Sequence, residues 1–252
     1  MNLRWSSRWD CVPQFQEALS DAPLPRPGTP SSRRRTRRAL WACTLLARCM
    51  TIHRHDRGRH TESPRAARTL PTSRRVLLLV DFINPLNFPG AEDLAASALE
   101  AAKATAQLKH RMQERGFRSI FVNDNFGQWR SDFKTLAGEC RRLGGAPRGL
   151  VGQLKPHPDD LMVLKPRHSA FYATPLDLLL DELGARELVV TGLATDFCVM
   201  CTAMDAYVRG YKVWVPEDCT AAETPLQKHE ALAWMHAVLK ARVSPARQAL
   251  SR

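Results

Sequence analysis

Short runs of valine, leucine and isoleucine alternate with helix-like segments from residue 75 to residue 240, and this alternation constrains the fold most. Five runs predict strands: Val76–Asp81, Ser119–Asn123, Leu161–Leu164, Leu188–Leu193 and Lys212–Pro216. The segments around them predict helices over Ala91–Arg115, Leu176–Gly184, Thr195–Gly210 and Leu226–Lys240. Strands that alternate with helices are typical of a parallel sheet covered on both faces. We therefore predict an α/β fold with a three-layer, doubly wound, mostly parallel sheet of five or six strands. Glycines and prolines between Asn123 and Leu161 predict an irregular segment there.

Charge and composition divide the chain into three parts. Residues 1–73 contain 14 arginines, no lysine and five acidic residues, whereas residues 74–252 contain 23 basic and 20 acidic residues. The first part is also rich in proline and serine and has no hydrophobic period. We predict a basic extension of low order in residues 1–73, a globular domain in 74–243 and a tail in 244–252. The extension is alternatively a targeting segment or an incorrectly assigned translation start.

The net charge of +12 alone would suggest a nucleic-acid partner, but its distribution along the chain does not. Because most of the excess lies in the extension, we expect a small-molecule substrate for the globular domain and no nucleic acid. Binding of nucleic acid or an acidic partner through the arginines is the non-enzymatic alternative. No run reaches the roughly 18–20 apolar residues that cross a membrane.

Seven cysteines are present, and none has the paired spacing of a metal site. Cys198 and Cys201 form either a redox pair or one reactive and one packed thiol. We favour the second interpretation and a reducing, cytoplasmic location.

Three side chains of complementary chemistry follow predicted strands. Asp81 ends the first strand, Lys165 follows the third, and Cys198 opens the helix after the fourth. The carboxyl ends of parallel strands meet at one edge of a sheet, so these side chains are expected to converge. A thiol at a helix start is expected to have a lowered pKa and to act as a nucleophile. Taken singly, the three would be a helix cap, a surface lysine and a packed thiol.

The motifs around these residues resemble those of the isochorismatase-like cysteine hydrolases. They are Val80-Asp81-Phe82, Lys165-Pro166-Arg167-His168-Ser169-Ala170-Phe171-Tyr172 and Thr191-Gly192-Leu193-Ala194-Thr195-Asp196-Phe197-Cys198-Val199, followed by Thr202–Ala206 and Gly210–Val213. The resemblance spans residues 75–240. It implies that Asp81 is the base, Lys165 the cation and Cys198 the nucleophile of a hydrolase that forms a thioester. It also implies an oxyanion hole from the backbone N–H groups of Ala194 and Cys198, after a cis Leu193–Ala194 bond.

The chain departs from two branches of that family. Nicotinamidases hold a metal through an Asp-x-His element, but here the stretch is Asp124-Asn125-Phe126 and no histidine follows before His157. We therefore expect no metal and no other cofactor. Isochorismatases proper lack the nucleophilic cysteine, so Cys198 favours hydrolysis of an amide, ureido or related C–N bond. A metal amidase of the nicotinamidase type and a vinyl-ether hydrolase stay open as alternatives.

Four aromatic residues in loops near the sheet edge are candidates for a pocket that binds a small, flat substrate. They are Phe82, Phe126, Trp129 and Phe171. Packing or subunit contact is an equally good interpretation of these side chains. Members of the family commonly form dimers or tetramers, so the resemblance also implies a homo-oligomer.

Overall fold

The computed structural model describes residues 70–248. Residues 1–69 and the last four residues lie outside the described part, and with them almost all of the predicted basic extension. Within the described part no helix is long and apolar enough to span a membrane.

Strands and helices alternate along the described residues as the sequence pattern predicts. The strands are β1 (Arg75–Val80), β2 (Arg118–Asp124), β3 (Leu161–Lys165), β4 (Glu187–Leu193), β5 (Lys212–Val215), β6 (Thr220–Ala221) and β7 (Arg242–Val243). The α-helices are α1 (Ala91–Gln113), α2 (Phe133–Leu143), α3 (Gly145–Gln153), α4 (Leu176–Glu182), α5 (Met200–Val208) and α6 (Pro225–Leu239). A single π-helical turn, Thr195–Val199, precedes α5.

The strands form one parallel sheet in the order β3-β2-β1-β4-β5-β7, with β6 paired to β4. This arrangement confirms the predicted α/β class. The expectation of five or six strands is wrong for the described residues, because the sheet has seven. The additional strands, β6 and β7, have two residues each and are too short to give a run of apolar residues.

Side chains of β1 alternate between the two faces of the sheet. Leu77 and Leu79 belong to one hydrophobic cluster together with buried residues of α1, α2 and α3. Val76, Leu78 and Val80 belong to a second cluster with residues of α4, α5 and α6. Both clusters are built around fully buried strand residues, which explains the continuous apolar runs. The result is the predicted three-layer arrangement.

The carboxyl ends of β1 and β4 lie side by side at the point where the strand order reverses. The chain moves outward from β1 to β3 and then returns to the other side of β1 for β4. Ligands of open α/β sheets bind in the crevice at such a point. Gly192 of β4 pairs with Val80, and a Cβ atom on it would lie 2.0 Å from the Val80 carbonyl oxygen. Glycine therefore permits the close approach of these two strand ends.

The segment between β2 and β3 differs from the expectation of an irregular loop. It contains α2 and α3. The Asp132 side chain accepts a hydrogen bond of 2.7 Å from the Thr135 N–H and caps α2. Helix α2 buries one face, made of Phe133, Leu136, Ala137 and Cys140. Helix α3 contains three glycines and a proline, and it is held by the burial of Leu150 and Val151.

Residues just outside both ends of the predicted globular domain, 74–243, are also packed. Ser73 is 2% exposed and its N–H donates a hydrogen bond of 2.7 Å to the Leu183 carbonyl. At the other end Ala246 is buried, and its N–H donates to Asp218 Oδ1 over 2.8 Å.

Candidate active site

The structure brings together the three side chains that the sequence places at strand ends. Asp81 follows β1, Lys165 ends β3 and Cys198 lies in the π-helical turn after β4. Lys165 Nζ is 2.7 Å from Asp81 Oδ2 and donates to Cys198 Sγ over 3.7 Å. A carboxylate, an ammonium and a thiol therefore share one site at the carboxyl edge of the sheet.

The surroundings of these groups fix their positions. Asp81 adopts a left-handed backbone conformation with φ of 51°, which Asp tolerates better than most residues. Its N–H donates to the Val122 carbonyl over 2.9 Å. Asp81 is 4% exposed and Lys165 is fully buried, so each charge needs a partner. Cys198 is half-buried.

A fourth residue, Asp124, belongs to the same cluster and was not predicted as a site residue. Asp124 Oδ2 lies 3.6 Å from Lys165 Nζ. Its main-chain N–H donates a hydrogen bond of 2.7 Å to Asp81 Oδ1. The signal was available in the sequence, because Asp124 stands at the end of β2 just as Asp81 and Lys165 stand at the ends of their strands.

The charges of the cluster shift one another's pKa values. Burial raises the pKa of Asp81 above its usual value, although Lys165 opposes the shift. Burial by itself would lower the pKa of Lys165, but Asp81, Cys198 and Asp124 together raise it. Burial and the Asp81 charge raise the pKa of the Cys198 thiol well above its usual value, against the effect of Lys165. The expectation of a lowered thiol pKa at this helix start is therefore wrong, because burial and two nearby carboxylates outweigh the effect of Lys165.

The backbone before Cys198 has the conformation that the resemblance implied. The Leu193–Ala194 peptide bond is cis. The Ala194 carbonyl accepts hydrogen bonds from the N–H groups of Phe197, over 3.1 Å, and Val199, over 3.2 Å. The role of the Ala194 and Cys198 N–H groups as an oxyanion hole stays a prediction.

The four aromatic residues predicted to line a pocket do not gather in one place. Phe82 is fully buried in the cluster on the α1 face, and Phe171 is 5% exposed in the cluster on the α5 face. Trp129 is 79% exposed. Phe126 lines a cavity of about 340 Å³ together with residues of α2 and of the loops after β1 and β2, including Pro85. The sheet separates Phe82 from Phe171, which sequence spacing does not reveal.

One aromatic contact beside the cluster was missed. The ring of His168 lies against that of Phe197, with 4.0 Å between the ring centroids. Partial burial and the charge of Lys165 lower the pKa of His168. His168 is therefore neutral at physiological pH and lies next to the residue that precedes Cys198.

The residues present do not fit the metal site of the nicotinamidase branch. Among residues 70–248 no group of three His, Cys, Asp or Glu side chains could hold a metal ion. The carboxylate of Asp124 is engaged by Lys165 and by the N–H of Phe126.

An acid, a lysine and a thiol lie at the switch point of this α/β sheet. The class of protein with this fold and site is identified by comparing the chain with known protein families. The sequence profile of the isochorismatase domain matches residues 75–246. The chain belongs to the isochorismatase family.

Two relatives and one solved structure describe its place in that family. The chain is 34% identical over 178 residues to the uncharacterized isochorismatase family protein YaaI of Bacillus subtilis, covering 71% of this chain and 97% of YaaI. It is 42% identical over 90 residues to the ureidoacrylate amidohydrolase RutB of Enterobacter, covering 36% of this chain and 39% of RutB. The crystal structure of the nicotinamidase SaPncA from Staphylococcus aureus superimposes with a TM-score of 0.54 at 25% identity, covering 69% of this chain and 98% of SaPncA.

Proposed function

We propose that this protein hydrolyses the C–N bond of a small amide or ureido compound, with Cys198 as nucleophile, Asp81 as base and Lys165 as the cation of the centre. The observation that carries the proposal is the contact of Lys165 Nζ with both Asp81 Oδ2, at 2.7 Å, and Cys198 Sγ, at 3.7 Å. Family membership makes the chain a hydrolase, and its amidohydrolase relatives support C–N bonds as its target.

The raised pKa of the Cys198 thiol determines how the first step proceeds. The resting thiol is neutral, and Asp81 is a hydrogen-bonding partner of its S–H group. Asp81 takes this proton as sulfur attacks the substrate carbonyl carbon, while Lys165 stabilises the sulfur as it becomes negative. The N–H groups of Ala194 and Cys198 are the proposed donors to the oxyanion.

The second half of the reaction returns each proton. As the C–N bond breaks, Asp81 delivers its proton to the leaving nitrogen, and the acyl group stays on Cys198 as a thioester. A water molecule then attacks the thioester carbonyl and gives a proton to Asp81. The carboxylic acid leaves, and the Cys198 thiolate regains the proton. No cofactor takes part in these steps.

The substrate class is tested by comparing wild type with two cysteine variants. Ureidoacrylate and nicotinamide, the substrates in the names of two relatives, are the first compounds to assay. We expect Cys198→Ala to lower kcat/KM on the substrate that is turned over by more than about a thousandfold. Cys201→Ala, three residues further along, is the matched control and should retain activity. A thioester adduct on the Cys198 peptide, trapped by acid quench, would identify the nucleophile.

Two outcomes distinguish the alternatives. Full activity of Cys198→Ala on isochorismate would replace the proposal with vinyl-ether hydrolysis through Asp81. Loss of wild-type activity with a chelator, restored by added zinc, would replace it with a metal amidase.

The location of the protein and its oligomeric state are further proposals. We propose a cytoplasmic protein that forms a dimer or tetramer of identical chains. Sedimentation equilibrium at micromolar concentration measures the mass of the particle directly. The mass of a single chain would contradict the proposed oligomer.

A further inference from the structure

Asp124 lies on the path that the Lys165 side chain takes to the thiol. Strand β3, which carries Lys165, is separated from β4 by β2 and β1. Neighbouring strands lie about 4.8 Å apart, so the ammonium must pass over the ends of those two strands. β2 ends at Asp124 and β1 is followed by Asp81. Each strand crossed therefore offers one carboxylate.

The orientation of Asp124 is fixed by its own hydrogen bonds. Its Oδ1 accepts the N–H of Phe126 over 2.6 Å, which leaves Oδ2 to face Lys165 Nζ at 3.6 Å. Its main-chain N–H holds Asp81 Oδ1 at 2.7 Å, while Lys165 takes Asp81 Oδ2. Asp124 thus contacts both of the groups that act on Cys198.

We propose, resting on the function proposed above, that Asp124 is a positioning residue of this centre. An ammonium group has three N–H donors. Lys165 Nζ reaches Asp81 Oδ2 at 2.7 Å and donates to Cys198 Sγ over 3.7 Å, while Asp124 Oδ2 faces it at 3.6 Å as an ion-pair partner. The carboxylates that follow two adjacent strands hold the ammonium by their charge in the position from which it donates to the sulfur.

The negative charge of Asp124 has a second effect on the same groups. It raises the pKa of Asp81 and that of Cys198. A more basic Asp81 accepts the thiol proton more readily and still delivers it to a leaving nitrogen near neutral pH. Removal of the charge should therefore be visible in the titration of the thiol itself.

The test is the rate of Cys198 alkylation by iodoacetamide against pH, read by peptide mass spectrometry on the full chain. Asp124→Asn keeps an oxygen for the Phe126 N–H and removes the charge. We expect the midpoint of the profile to move to lower pH by about 0.5 unit or more. The control is Asp159→Asn, which neutralises an exposed aspartate at the other end of β3 and should leave the midpoint unchanged.

A profile of Asp124→Asn that coincides with those of wild type and Asp159→Asn would overturn the proposal. If Asp124→Asn does not fold, Asp124→Ser offers a hydroxyl to the Phe126 N–H and is read in the same way. The labelling needs no turnover, so its result is separate from that of the substrate assay. If the midpoint shifts but the protein hydrolyses no amide, the coupling of Asp124 to the thiol is supported and the proposed function is contradicted.

Discussion

At the scale of single residues, the centre is defined by a balance between burial and charge. A thiol beside a lysine and a helix start is commonly activated, and the sequence alone supports that expectation. In the structure two carboxylates lie beside the same lysine, and partial burial of the thiol disfavours its charged form. The residue types were predictable from the sequence, but the sign of the pKa shift was not. That sign depends on the depth of burial and on the charge of Asp81, with a smaller contribution from Asp124.

Asp81→Asn tests this balance directly. Because the Asp81 charge raises the pKa of the Cys198 thiol, its removal should lower that pKa by about one unit or more. Cys198 should then be alkylated faster at pH 8 than in wild type, although hydrolysis is lost. The measurement is iodoacetamide labelling between pH 6 and pH 11.

Cys140 and Cys219 provide the internal comparison for that measurement. Burial raises their pKa values to about 11 and about 12, and neither residue lies in the cluster. Their labelling should be slow in both proteins. Slower labelling of Cys198 in Asp81→Asn than in wild type would contradict the assignment of Asp81 as the group that holds the thiol neutral.

At the scale of secondary-structure elements, the sequence predicts the strands and helices that have a regular pattern of apolar residues. It misses those that are stabilised mainly by tertiary contacts. The five longer strands lie within one residue of their predicted ends, because buried parallel strands require continuous apolar runs. The α2 helix was missed although Phe133, Leu136, Ala137 and Cys140 have helical spacing. The Gly144-Gly145 pair and the prolines that follow suggested a loop. For α3 there was no local signal, since its glycines and proline disfavour a helix and buried contacts stabilise it.

Gly192→Ala tests the contact between β1 and β4. The new Cβ would lie 2.0 Å from the Val80 carbonyl oxygen, at a backbone φ of 128° that disfavours a side chain. The strand ends would have to separate, and we expect the free energy of unfolding to fall by about 2–4 kcal/mol. Urea denaturation measures this change.

The matched control for that substitution is Gly138→Ala in the interior of α2. A Cβ there meets no atom within 4 Å, so the variant should be more stable by about 0.5–1 kcal/mol. Equal stability of Gly192→Ala and wild type would show that β1 and β4 tolerate separation at this point.

At the scale of the whole molecule, charge and chemistry occupy different parts of the chain. Residues 1–69 contain 14 arginines and five acidic residues, whereas the rest of the chain is nearly balanced. The cluster of Asp81, Asp124, Lys165 and Cys198 lies entirely in the described domain. The two parts can therefore be tested separately.

A chain that begins at Leu70 tests this separation. Ser73 must be kept, because its hydroxyl accepts the Arg118 N–H over 2.9 Å and its N–H binds the Leu183 carbonyl. We expect the shortened protein to retain the thermal midpoint and the Cys198 labelling profile of the full chain. Any retention of the full chain on immobilised duplex DNA should weaken steeply with salt and disappear in the shortened protein, because counterion release scales with the phosphates that the arginines neutralise. DNA binding that survives the deletion would assign it to residues 70–252, and a Cys198 profile that changes with the deletion would mean that the chemistry depends on the first 69 residues.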